Sequence, residues 1–152
     1  MKRYSLIITT LLCCICFTNI AAQNTEPDTN LRISLFQLKQ KFPNLQYVKS
    51  DLKGNLYRDG KATDDVIMYF YVKENKVIEE SMVIQTNDGY SKMMYDETVK
   101  AFTNKGGFIT ADFGENHVKL SYSFFDIDFT YQTSNGLNTM WMIYSLNGWG
   151  RL

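Results

Sequence analysis

The sequence predicts an α+β fold: an antiparallel sheet of about six to seven strands with two helices packed on one face, laid out as helix-plus-meander in tandem. Three observations carry this prediction. Two segments show the apolar spacing of amphipathic helices, and each precedes a group of segments rich in β-branched and aromatic residues. Turn signals divide those groups at short intervals, as hairpins require. The composition, 45% apolar, 14% aromatic and 21% charged, suits a single globular core and excludes a disordered or fibrous chain.

The elements follow in order. Ser34 and Gln37 have the spacing of a capping box, and Ile33 is placed to staple onto Leu38. Leu35, Leu38 and Phe42 form the stripe that this helix would bury. Pro43 stops it, because the residue before a proline avoids helical angles. Leu45 to Val48 reads as a short strand. The stretch from Asp51 to Asp64 holds two turn signals, Lys53-Gly54-Asn55 and Asp59-Gly60, around a short Leu56-Tyr57 segment. Val66 to Val72 and Val77 to Gln85 read as strong strands joined by a turn over Lys73 to Lys76. A second helix is expected from about Tyr90 to Asn104, with Met94, Thr98, Ala101 and Phe102 inward and a glycine cap at Gly106.

The last third reads as strand again. Phe108 to Phe113 precedes a turn at Gly114-Glu115-Asn116. Between Phe124 and Phe125 the apolar parity flips with no turn residue in sight, which reads as a β-bulge in one long bent strand. Asn135-Gly136 is a strong two-residue hairpin signal, because both residues tolerate positive φ. Tandem layouts of this kind are found in some protein inhibitors, a likeness of fold alone.

The N-terminus has the three parts of a secretory signal: the basic Lys2 and Arg3, an apolar run from Ser5 to Phe17, and small residues up to Ala22. The run is too short to span a bilayer. Residues 1–22 are therefore expected to be a signal peptide cut after Ala22, 23–30 a polar tether, and 31–152 a single α+β domain. Cys13, Cys14 and Cys16 all lie in the leader, so the exported domain would be cysteine-free, without disulfides or thiol chemistry. A lipoprotein would need a small residue before its lipidated cysteine, and Leu12 and Ile15 do not fit. A leader ending Ala-Ala-Gln, a short polar tether and a small cysteine-free domain resemble in layout the small exported proteins of Bacteroidota-type bacteria. The leader implies a periplasmic or extracellular location; the resemblance brings no named family, site or activity with it.

Charge excludes further classes. Of 16 Lys and Arg, two lie in the leader, leaving 14 against 16 Asp and Glu. No basic cluster is present to displace phosphate counterions, so nucleic acid is not an expected partner. Catalysis needs a proton-transfer group, a nucleophile or a metal. The sole histidine, His117, follows a turn, and with Asp112 and Glu115 it reads as a wet turn rather than a metal site. Asp126 and Asp128 project to one face of a strand, a spacing compatible with glycoside hydrolysis or calcium, but no further acid supports either. Asp64-Asp65 reads as a turn, and Glu79-Glu80 as a strand with one edge in water. No nucleophile elbow, phosphate loop or dinucleotide glycine pattern occurs. No catalytic residue, metal or cofactor is assigned.

The Asn135-Gly136 turn fixes a register. It pairs Tyr131 with Met140, Phe129 with Met142, Ile127 with Tyr144 and Phe125 with Leu146 on an apolar face. The opposite face pairs Thr130 with Trp141, Asp128 with Ile143 and Asp126 with Ser145. From Phe129 to Gly150 the chain carries no charge, although exposed strands normally carry charge to block unwanted pairing. Trp141, Ile143, Thr130 and Asp128 are therefore the candidate partner-binding residues, with Trp141 as the anchor. The expected function is a non-enzymatic exported protein that engages another protein of the bacterial envelope, as an inhibitor or immunity-type factor would. The alternative is a small apolar or carbohydrate ligand held in a groove between helices and sheet.

Overall fold

The computed structural model describes residues 29–148, so the leader with its three cysteines, its cleavage site and the first part of the tether lie outside the described residues. The chain is an α+β fold around one antiparallel sheet of eight strands. In order these are α1 (Leu35–Lys41), β1 (Gln46–Asp51), β2 (Gly54–Asp59), β3 (Val66–Lys73), β4 (Lys76–Thr86), α2 (Tyr90–Lys105), β5 (Thr110–Phe113), β6 (His117–Ser121), β7 (Phe125–Ser134) and β8 (Leu137–Leu146). The spatial order is β1-β2-β3-β4-β8-β7-β6-β5, so two four-stranded meanders meet at the β4–β8 seam. No helix among the described residues is long and apolar enough to cross a membrane.

Two expectations are corrected. The sheet has eight strands rather than six to seven, because the expected bulged strand is a hairpin. β6 and β7 pair antiparallel, and Tyr122 N–H donates to the Phe125 carbonyl at 2.8 Å across the turn. The parity flip at Phe124 marks this reversal. Asn147 braces the turn from outside, with its backbone N–H on the Phe124 carbonyl and its side-chain amide on the Tyr122 carbonyl. A distant residue thus does the work of a local turn residue. The second correction concerns the helices, which are not packed as a pair on one face. α2 lies against β4, β7 and β8, whereas α1 has its main contact with β4 and sits at the turn end of the β3–β4 hairpin. Backbone bonds fix it there: Arg32 N–H donates to the Val77 carbonyl, Val77 N–H to that of Ile33, and Leu35 N–H to that of Asn75. A seven-residue helix buries too little to hold its own place, so the segment leading into it does so.

Local signals explain most of the rest. Ser34 Oγ accepts from Gln37 N–H while Ser34 N–H donates to Gln37 Oε1, which completes the capping box. Leu38 is fully buried, and Phe42 packs its ring on Phe70. The β3–β4 turn is two residues long, with Glu74 and Asn75 both at positive φ, and Asn135-Gly136 repeats the arrangement between β7 and β8. β2 is a full six-residue strand where the sequence suggested a short segment. Gly54 opens it at φ +146, and a Cβ there would lie 2.6 Å from the Val72 carbonyl oxygen. The core runs along the apolar rows of the seam: Phe70, Ile84, Met140, Phe129, Ile127 and Leu120 are all fully buried. Phe102 of α2 closes over it, its ring 5.3 Å from that of Phe129.

Candidate functional site

The β7–β8 register is the one that the Asn-Gly turn dictates: Thr130 pairs with Trp141, Asp128 with Ile143 and Asp126 with Ser145. All four candidate residues, Trp141, Ile143, Thr130 and Asp128, are half-buried and share one face. The pairing continues on both sides. One row across the sheet runs Arg58–Tyr69–Ser81–Ile143–Asp128–Lys119. The next runs Ile67–Val83–Trp141–Thr130–His117. Beneath the aromatic side chains, Ile67 and Val83 are buried at 3% and 2% exposure.

Trp141 is neither a free-standing ring nor part of the core. It stacks on Tyr69 of β3, with ring centroids 6.4 Å apart and planes 21° apart. Tyr69 stands two strands away, so the pair spans β4 and draws both meanders into one aromatic platform. Nothing in the local sequence around Trp141 points to Tyr69. The unbroken run VIMYFYV hides which of its residues alternate outward, and only the β3–β4–β8 register resolves it.

Charged pairs flank the platform. On the β6–β7 side, His117 Nε2 lies 3.1 Å from Asp128 Oδ1 and Lys119 Nζ 2.9 Å from Asp126 Oδ2. Both contacts are diagonal: each basic side chain on β6 reaches past its opposite residue to the carboxylate two positions back on β7. The hydrogen bond that Lys119 donates to Asp126 raises the Lys119 pKa. The two strand carboxylates are thus each matched to a basic side chain rather than to each other, an arrangement unlike a free acid–base pair or a calcium cradle.

On the β1–β3 side, Lys53 pairs with Glu79 and lies over the Tyr71 ring, 4.5 Å from its centroid. Asp51 accepts from Lys49 Nζ and from the Tyr71 hydroxyl, both at 3.0 Å. The Lys49 hydrogen bond leads in lowering the Asp51 carboxyl to about 2. Burial, and then the bond to Asp51, pushes the Tyr71 hydroxyl up.

The remaining polar clusters separate. Asp112 lies opposite Lys119, His117 turns to Asp128, and Glu115 stays in its exposed turn. Among the described residues no three His, Cys, Asp or Glu side chains converge as a metal site requires. Asp64 caps its own turn, accepting from Lys61 N–H at 2.6 Å. Glu79 and Glu80 correct the expectation of a strand with an edge in water. β4 is central, and they point to opposite faces at 9% and 7% exposure, with Glu80 accepting from Asn30 N–H. No family model, curated protein or solved structure matches the chain, so its surface is read on its own geometry.

Proposed function

We propose that the protein is exported and acts without catalysis, binding another protein of the bacterial envelope through the face centred on Trp141, as an inhibitor or immunity-type factor does. The observation that carries this reading is the half-buried Trp141 stacked on Tyr69 beside Ile143, in a strand without a charged residue. Tryptophan and tyrosine supply large contact area at low entropic cost and dominate interface hot spots. The ion pairs around the platform form a polar rim of the kind that surrounds an interface core.

A small apolar or carbohydrate ligand between helix and sheet has less to draw on. Phe102 already fills the space under α2 with contacts to Phe129 and Tyr144, and Tyr95 packs on Tyr131. The test is capture from native envelope fractions with mass spectrometry, comparing the wild type with Trp141→Ala. A partner retained by the wild type and lost by a folded Trp141→Ala protein supports the reading. A partner held equally by both places the contact elsewhere.

A further inference from the structure

We propose that Arg58 makes the Trp141 face a receptor for a protein segment presenting a carboxylate next to an apolar side chain; this rests on the reading of that face as a protein-binding surface. Arg58 pairs across the β2–β3 ladder with Tyr69, the residue that stacks on Trp141. Its charge is not answered by any carboxylate among the described residues. The guanidinium donates from Nη2 to the Gln46 amide oxygen at 3.4 Å, and its Nε is buried with no acceptor among the described residues. No ion pair joins it to a described carboxylate. The other basic side chains around the platform are matched: Lys49 to Asp51, Lys53 to Glu79, His117 to Asp128 and Lys119 to Asp126. One end of the aromatic row therefore carries a positive charge that no described carboxylate pairs with.

A guanidinium offers five N–H donors in a planar fork, and leaving such donors half desolvated and unused is costly. A carboxylate on its outer nitrogens would form a charge-assisted, two-pronged contact that a lysine cannot reproduce. The spacing fits an extended segment. Cross-strand neighbours such as Arg58 and Tyr69 stand about 5 Å apart at Cβ. Alternate residues of an extended chain stand about 6.6 Å apart on one face. An Asp or Glu over Arg58 thus brings the side chain two positions along onto the Tyr69–Trp141 rings.

The test is selection of phage-displayed random twelve-residue peptides on the immobilised protein, with counter-selection on Trp141→Ala. The expected binders depend on Trp141 and carry Asp or Glu two positions from an aromatic or aliphatic residue. They should weaken at least about tenfold with Arg58→Gln and recover only in part with Arg58→Lys. The same loss is expected on the wild-type protein when the peptide's acid is changed to its amide, an arm that does not depend on how Arg58→Gln folds. Binders that need Trp141 but no acid, or that ignore Arg58→Gln, overturn this proposal and leave the docking face standing. Failure to recover any Trp141-dependent binder overturns both.

Discussion

Tyr69 and Trp141 stand on strands separated by β4, yet their rings stack with centroids 6.4 Å apart, so the aromatic platform is assembled across the seam of the two meanders. Each ring shields the other from water. Trp141→Ala should therefore cost about 1–2 kcal/mol, since half-buried positions lose only part of the transfer and contact energy. Phe129 on the same hairpin is fully buried against Phe102 and should cost about 3–5 kcal/mol on truncation to alanine. Denaturant melts of both variants separate the two cases. Equal losses would make Trp141 a core residue and remove the main support for the docking face.

Gly54 should not tolerate a side chain. Its φ of +146 is one that L-residues rarely adopt, and a Cβ would strike the Val72 carbonyl oxygen at 2.6 Å. Gly54→Ala is expected to cost about 2 kcal/mol or more. Gly136 has positive φ but open space around it, so Gly136→Ala should cost about 1 kcal/mol. Thermal melts in which the order is reversed would show that β2 shifts freely away from β3.

Asp51 sets a pH dependence on the acid side. Its carboxyl is lowered from 3.8 to about 2, led by the Lys49 hydrogen bond. A lowered carboxylate contributes stability that is fully present above the unfolded value and is lost as pH falls through the folded one. The loss from this group therefore falls between about pH 4 and pH 2. Because the group is exposed, the effect should be small and should shrink further in high salt. Asp51→Asn should flatten that part of the stability–pH curve, and an unchanged curve would show that the Lys49 contact is too loose to matter.

Stability should be indifferent to chelator. Asp126 is paired with Lys119 and Asp128 with the His117 imidazole, so stripping divalent metal should leave the melting temperature where it was. A drop on adding chelator, abolished by Asp126→Asn, would mean that a cation displaces Lys119 in solution.

N-terminal sequencing of the exported protein should begin at or near Gln23. Met1 retained on membrane-embedded protein would make the leader an anchor.

How much was legible in the sequence depended on how local the cause was. The Ser34–Gln37 box, the Gly106 cap and the Asn135-Gly136 register are each fixed by residues a few positions apart, and all three stand in the structure. The β6–β7 turn was missed because its brace, Asn147, lies far along the chain. The parity flip at Phe124 was the available signal, and it was consistent with a reversal as well as with a bulge. Of the proposed docking face, the β7–β8 register points to Trp141, Ile143, Thr130 and Asp128. Tyr69 and Arg58 come from the other meander, and no hairpin rule reaches across the β4–β8 seam.

That seam also has a kinetic meaning. Every other strand pair in the sheet joins consecutive strands, so each forms by closing a short loop. β4 and β8 alone must find each other across α2 and three intervening strands, pairing Met82 with Met142. Loop-closure entropy makes such a contact slow to form, while hairpins close in microseconds. Each meander can thus gather its local pairings before the seam joins, leaving the long edges of β4 and β8 unpaired in the meantime. In a crowded compartment those edges are complementary to the same edges of another copy. The step that completes the fold is therefore also its point of exposure to strand exchange between chains.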